Sequence, residues 1–372
     1  FLFVMNLYSR KVFRLELDSA TNPTGLVANG VTSYDIPATA TVNGEYRPWA
    51  LKFHRNELYV GLVASAENGG TDANLSASVY KLTNPTAAAT FAASPVLTFP
   101  LDYTKNGSYN PWTNDSDIPS STATAVRYAT PVLSDIEFSD NGDMILGIMD
   151  RCGHQWGENN RRFLKSSTTS ITISTSGDIL VAGLNCNTGA FALENNGSFT
   201  SGNGLLLSGT NTGAEGPGGK EFFDDNSSVG DPHAETATGS LAVLKGQGAV
   251  LLSAFAQSAE SGDAGTMKLT TSDGTFVNYY ELYNRNDFDG VFAKANGLGD
   301  VELSSPESPI EIGNRIWTDT NGNGIINSDD AKIATLSSAD GLTDDLNGDG
   351  EIDPEGYYLF KGLDPLRKYI VD

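Results

Sequence analysis

The sequence predicts an all-β protein, and three observations predict it. Forty of the 372 residues are glycine and Ser, Thr and Asn are abundant, so long helix-forming stretches are few and helices should be scarce. Apolar residues alternate in short runs bounded by Gly, Asn or Asp, the pattern of half-buried strands joined by tight turns. The unit of run, turn and second run recurs, at uneven spacing, through residues 1–305.

Taken in order, the first such unit is "FLFVMNLYSRKVFRLEL" (1–17), read as a β-hairpin. The next is "PWALKFHRNELYVGLVAS" (48–65), followed by "LSDIEFSDNGDMILGIMD" (133–150), "ITISTSGDILVAGLN" (171–185) and "GSLAVLKGQGAVLLSAF" (239–255). The start of a sixth is "ANGLGDVELSS" (295–305). In 133–150 the alternation places Ile136, Phe138, Met144 and Leu146 on buried faces, while Asp140, Asn141 and Gly142 supply the angles of a reversal. Long polar insertions, 66–78, 104–130 and 208–236, account for the uneven spacing. Repeated hairpins of this kind are how β-propeller blades look in sequence, each small sheet burying its faces against its neighbours. A β-propeller over 1–305 is therefore the expected architecture, with a β-sandwich as the alternative. The polar stretch "GDVELSSPESPIEIG", with Pro306 and Pro309, marks a boundary before a second domain over 306–372.

Charge narrows the partners. With 23 Lys and Arg against 46 Asp and Glu, the net charge of −23 repels nucleic acid and anionic membranes. No run of eighteen apolar residues occurs, so no direct membrane insertion is expected within this stretch. The chain opens on Phe1 inside an apolar run and stops at "KYIVD", which suggests a piece of a longer protein with any secretion signal or anchor elsewhere. The cysteines, Cys152 and Cys186, each follow an expected strand; they suit either one disulfide in an oxidising compartment or two unpaired small residues. Asn74, Asn106, Asn114, Asn196 and Asn226 each open an N-glycosylation tripeptide, which is compatible with an extracellular setting.

The segment after Thr318 carries the sharpest signal. Calcium takes about six to eight oxygens, and an EF-hand-type loop supplies them from positions 1, 3, 5, 7, 9 and 12, with glycine at 6. Asp319, Asn321, Asn323, the Ile325 carbonyl, Asn327 and Asp330 occupy those positions, with Gly324 at the turn. A second register begins at Asp345 and continues through Asn347, Asp349, Gly350, Glu351 and Asp353. Gly356 stands at its position 12, so Glu355, Asp344 or a water closes that site. The bland alternative is a pair of Asx-rich turns; two loops in one register favour calcium, and so full a set of protein oxygens disfavours magnesium. Carboxylates that repel each other when empty would be drawn together by the ion, so calcium is expected to act as a staple.

These residues resemble a family. "IGNRIWTDTNGNGI" (312–325), with Ile312, Gly313, Trp317, Asp319, Asn321, Asn323 and Gly324, and the closing "GYYLFKGLDPLRKYIV" (356–371) are similar to the calcium-binding B module of Sdr-type surface adhesins. That module is a Cna-B-like β-sandwich often strung in tandem on bacterial surface proteins. The likeness covers about the last sixty residues. It departs at "INSDDAKIATLSSADGLTDDLNGDGEID" (326–353), which looks like a dockerin-type pair of loops. Upstream, "SDIEFSDNGDMILGIMDRCGHQWG", "HAETATGSLAVLKGQGAVL" and "FAKANGLGDVELSS" are similar to the propeller-like region that precedes such modules in large secreted bacterial proteins.

Candidates for catalysis are few. His54, at a hairpin turn, reads as a surface residue, while His154, His233, Asp135, Asp150, Arg151 and Glu235 could meet at a propeller channel mouth or each brace a loop. No G-x-S-x-G elbow, phosphate loop or zinc spacing occurs. The expectation is accordingly a secreted or cell-surface structural or adhesive protein, of which a filament subunit is one form, rigidified by calcium and not an enzyme. It would associate with itself or with other surface proteins or glycans through exposed insertions such as that holding Tyr109 and Trp112. The alternative is a propeller enzyme, a hydrolase or sugar oxidoreductase, with His154 and His233 at its active face.

Overall fold

The structure, a computed structural model, describes residues 1–19, 22–38, 43–87, 89–105, 107–113, 126–156, 160–161, 170–171, 173–211, 213–226, 237–255, 263–284, 298–303, 310–315, 317–318, 331–332 and 357–363. The chain divides into two compact units, Phe1–Ser304 and Ser305–Asp372. The protein is all-β. No helix among the described residues is long and apolar enough to cross a membrane.

In the first unit, β1 (Leu2–Asn6), β2 (Lys11–Leu17) and β3 (Leu26–Asp35) form a three-stranded antiparallel sheet. A four-stranded sheet follows, β4 (Tyr46–His54), β5 (Glu57–Ala64), β6 (Ser76–Thr83) and β7 (Leu97–Pro100), in chain order. Arg55 and Asn56 both hold positive φ between β4 and β5, the two-residue reversal that matches the twist of paired strands. After the short β8 (Val126–Arg127), the strands β9 (Pro131–Phe138) and β10 (Met144–Asp150) form the expected hairpin. The helix α1 (Arg151–Trp156) and the two-residue strands β11 (Asn160–Arg161), β12 (Ser170–Ile171) and β13 (Ile173–Ser174) lead to β14 (Asp178–Asn185) and β15 (Ala190–Leu193). The third large sheet is ordered β9, β10, β14, β15. A small hairpin of β16 (Ser198–Thr200) and β17 (Leu206–Ser208) precedes the last sheet, β18 (Ala237–Leu244), β19 (Ala249–Phe255), β20 (Ala264–Thr270) and β21 (Phe276–Tyr283), again in chain order.

The sheets stack in sequence, and the side chains say why. Val12, Tyr34, Leu58, Val60 and Leu82 pack the first sheet on the second. On the other face of the second sheet, Tyr59, Val63, Val79 and Phe99 meet Leu133, Ile136, Phe138, Met144 and Leu146 of the third. The opposite face of the third sends Ile145, Ile179 and Val181 against Leu241, Val250, Leu252 and Met267 of the fourth. Both inner sheets are thus buried on two faces, which is why β5 and β14 read as near-continuous apolar runs rather than strict alternations. Each Leu or Ile so enclosed contributes on the order of 1.5–3 kcal/mol.

Backbones approach closely at the seams. A Cβ at Gly147 of β10 would lie 2.5 Å from the carbonyl oxygen of Gly239 in β18. Because that neighbour is backbone and cannot swing away, Gly147→Ala is expected to lower stability by about 1–3 kcal/mol. Gly25→Ala, whose added carbon meets only an ordinary 3.7 Å contact, serves as the neutral control in urea melts. Equal midpoints for the two variants would remove the close-approach argument.

Several expectations are corrected by this architecture. Residues 171–185 are not a hairpin: β13 pairs in parallel with β8, and β14 is the third strand of its sheet. Residues 298–303 carry no strand, and 76–78, read as insertion, begin β6. Cys152 and Cys186 are not bridged; Cys152 is buried with Trp156 and Ile173, whereas Cys186 is exposed and donates its thiol to the Gly202 carbonyl.

Among its described residues, the second unit contains two small antiparallel pairs. β22 (Ile310–Arg315) pairs with β25 (Tyr357–Leu363), and β23 (Trp317–Thr318) pairs with β24 (Ala331–Lys332).

Candidate functional site

The sequence-predicted calcium ligands Asp319, Asn321, Asn323, Ile325, Asn327, Asp330, Asp345, Asn347, Asp349, Glu351, Asp353 and Glu355 lie outside the described residues. What is described is their frame. Thr318 pairs with Ala331 and Trp317 with Lys332, so the residues that flank 319–330 in sequence lie side by side. The ladder from Ile310↔Leu363 to Arg315↔Tyr357 does the same for the whole stretch between β22 and β25.

The residues weighed for catalysis, His54 read as a surface residue and the others as a channel-mouth group, are placed as follows. His54 is not a surface residue: only 8% exposed, it stacks on Phe138 with ring centroids 4.1 Å apart. Burial, aided by Lys245, Arg55 and Lys52, pushes its pKa down to about 3, so it is neutral and acts as an aromatic. Asp150, buried at the end of β10, receives the Thr130 and Cys152 amides at 2.9 Å and thereby holds the start of α1. Burial still raises it to about 7. His154 on α1 is bonded to the backbone of Thr238, and burial lowers its pKa. Asp135 accepts the amides of Ile136 and Leu241, both at 2.7 Å; burial and the nearby Asp300 and Glu137 raise it to about 8. Asp135 and His154 thus each attach to β18, three residues apart. His233 and Glu235 lie outside the described residues.

Tyr109 and Trp112, expected to be exposed contact residues, are not free for that role. Tyr109 is fully buried against Tyr103. Trp112 lies against the guanidinium groups of Arg47 and Arg151 at 5.6 and 4.9 Å, and its Nε1–H donates to the Pro131 carbonyl.

The most concentrated chemistry was invisible in the sequence. Parts of the two polar insertions 104–130 and 208–236, at Lys105 and at 221–225, fold inward and meet β14. They enclose Lys105, whose Nζ lies 2.7 Å from Glu221 Oε1, 3.1 Å from Asp178 Oδ1 and 3.3 Å from Asp225 Oδ1. The Tyr103 hydroxyl donates to Asp178 Oδ2 at 2.5 Å. Asn211 Nδ2 donates to Glu221 Oε2 and to the Phe223 carbonyl. Beside the group, Glu194 accepts the Val181 and Phe222 amides through its two oxygens. The one available signal was the pair Phe222 and Phe223 in an otherwise polar stretch; both rings are buried and carry their neighbours inward.

One ammonium cannot neutralise three enclosed carboxylates, so burial pushes carboxyl groups toward their protonated forms. Glu221 is raised well above the ordinary carboxyl range by burial, which outweighs the opposing attraction of Lys105. Burial also raises Glu194 to about 8 and Asp225 to about 6. Near neutrality the group therefore contains an amine, a carboxylic acid that can pass protons, and carboxylates within contact distance. Among the described residues no cluster of His, Cys, Asp or Glu has the disposition of a metal site.

These features define an all-β protein of stacked antiparallel meanders with acid–base groups buried between them. No family model matches the chain. It is 27% identical over 346 residues to Colossin-A of Dictyostelium discoideum, covering 87% of this chain and 3% of that protein. It is 32% identical over 215 residues to Colossin-B of the same organism (56% and 5%) and 25% over 366 residues to Colossin-C (90% and 32%). The chain thus spans a third or less of the length of these curated relatives. Among solved structures, a GH43 β-xylosidase/α-arabinofuranosidase from a compost microbial metagenome aligns at a TM-score of 0.31 and 12% identity, over 75% of this chain and 76% of that one. A puromycin hydrolase variant aligns at 0.23 and 14%, over 76% and 44%.

Both of these solved chains are enzymes, and with that finding the expectation that this protein is not an enzyme is corrected. That expectation was built on histidines and short motifs, whereas the titratable groups assembled here are carboxyl groups from distant segments. Neither likeness assigns a reaction to this chain.

Proposed function

We propose that the chain is a segment of a secreted or cell-surface structural protein, in which a propeller-like body is joined to a calcium-stapled sandwich module of the Sdr B type. The body makes contact with its own kind or with other surface proteins or glycans. The observation that carries this reading is the repeated oxygen-donor register at 319–330 and 345–355, the first framed by the pairing of Thr318 with Ala331. With the flanking residues paired, a cation bound by that register would draw its carboxylates together. The propeller reading is supported by consecutive meanders whose first strands pack on one another, β4 on β9 and β9 on β18. Its long relatives are compatible with a segment that serves as one module among many.

Titration calorimetry of the full chain with calcium tests the proposal. Saturable binding is expected, with loss of one site in Asp319→Ala and of the other in Asp345→Ala. Calcium should also raise the melting temperature of the transition that contains the second unit. Absence of binding heat in the unaltered chain would end this reading.

A second reading, a hydrolase, is favoured by one observation. Asp135 on β9 is only partly enclosed, holds a proton near neutrality and stands close to the charges of Asp300 and Glu137, the pairing of acid and carboxylate that acid–base hydrolysis uses. Hydrolysis of aryl glycosides by the unaltered chain, lost in Asp135→Asn, would support it; no turnover by the unaltered chain would remove it.

A further inference from the structure

The Lys105 group is closed on all sides: the side chains of Lys105, Asp178, Glu221 and Asp225 are 0, 0, 2 and 1% exposed. An amine and carboxyl groups shut away from solvent are held within reach of each other. Held in contact, they gain the large effective concentration of any oriented intramolecular pair. Joining them also removes one cation and one anion from a medium that penalises both.

We propose that Lys105 and Asp178 condense into an intramolecular amide, a covalent cross-link between the 101–110 segment and the first residue of β14. Asp178 is the partner because its two oxygens are differentiated. Oδ2 receives the Tyr103 hydroxyl, which polarises the carbonyl and stabilises the charge that develops there during attack. Oδ1, 3.1 Å from Nζ, is left as the departing oxygen. Glu221 has the shortest of the three contacts to Nζ, and Asn211 orients its other oxygen, so it is placed to carry protons.

The step balances without a further reactant. Nζ passes a proton through Glu221 and attacks Cγ of Asp178, forming the C–N bond. Glu221 delivers that proton and then the second ammonium proton to Oδ1, the C–Oδ1 bond breaks, and one water leaves. An ammonium and a carboxylate become an amide N–H and carbonyl, with the carbonyl oxygen still bonded to Tyr103. Asp225 remains as the neighbouring carboxyl group, and Glu221 is regenerated. The elevated pKa of Glu221 suits this relay, since it favours the protonated form that hands a proton to the leaving oxygen. The proposal goes beyond calcium binding and does not depend on it.

Intact-mass spectrometry of the folded full chain, purified without calcium, tests it. The expected mass is one water below that of the linear sequence, and proteolysis should release a branched peptide joining residues 105 and 178. Glu221→Gln preserves side-chain shape but not the proton relay, and is expected to show the linear mass with an unchanged circular dichroism spectrum. A linear mass for the unaltered chain overturns the proposal, as does a branch from Lys105 to residue 221 or 225. If Glu221→Gln does not fold, the mass and peptide map of the unaltered chain decide the matter alone.

Discussion

Raising the pH from about 6.5 to about 8.5 is expected to destabilise the Phe1–Ser304 unit by roughly 2–5 kcal/mol, read as a fall in the urea midpoint. The direction follows from two enclosed carboxyl groups and one that is partly enclosed. Glu194 is raised from 4.5 to about 8, Asp135 from 3.8 to about 8 and Asp150 from 3.8 to about 7, in each case chiefly by burial. The folded form therefore holds protons that the unfolded form has already released. A carboxyl group whose folded pKa is raised contributes stability fully present below its unfolded pKa and lost as pH rises through the folded value. The buried histidines act in the opposite sense but in another window. His54, lowered to about 3, contributes above its unfolded value of 6.5 and loses that contribution only as pH falls, and His154 is likewise lowered. Above about 7.5 both are neutral in either state, and below that they offset only part of the carboxyl slope, so the net fall across the window belongs to the carboxyl groups. Glu194→Gln should reduce the slope by about one proton. A midpoint constant across this window would show that these groups are ionised in the folded protein and would sink the argument.

Lys105→Met is expected to be the most damaging single charge substitution, lowering stability by about 3–5 kcal/mol, because it removes the link to Asp178 and leaves three carboxyl groups in an enclosure that then holds no amine at all. The pair Lys11 and Asp35 offers the contrast. Its nitrogen and oxygen are 2.8 Å apart, yet the side chains are 36 and 79% exposed, so Lys11→Met should change stability by less than about 1 kcal/mol. Distance is similar in the two cases; solvent decides the outcome. Lowering the pH should restore part of the loss in Lys105→Met, as Asp225, raised to about 6 chiefly by burial, takes up a proton and sheds its charge. Adding Glu221→Gln should recover a further part. An unchanged urea midpoint for Lys105→Met would mean that Lys105 does not hold the group together.

The boundary between what is local and what is not runs through particular residues. Alternation and turn chemistry act between neighbours, so Ile136, Phe138, Met144 and Leu146 were legible as buried, and Gly142 with its positive φ as the turn, from the chain alone. The hairpins of 1–17, 48–65, 133–150 and 239–255 followed from the same short-range rules. The reading of 171–185 failed because "ITIS" and "GDILVAGLN" are each good strands that find partners elsewhere: β13 lies along β8, and β14 along β10 and β15. Nothing within fifteen residues distinguishes a strand that folds back on its neighbour from one that joins a sheet already under way.

The all-β character, the strong negative charge and the spaced oxygen donors after Thr318 were determined by the sequence itself, because each depends on residue type and near-neighbour spacing. Tertiary structure alone decided which polar residues are enclosed. His54 became a stacked aromatic, the cysteines were kept apart, and Lys105 was brought from a supposed insertion to carboxyl groups 73 to 120 positions further along the chain. The reason is physical: burial and electrostatic pairing are properties of a place in space, and stacking the sheets creates that place only once distant strands have met.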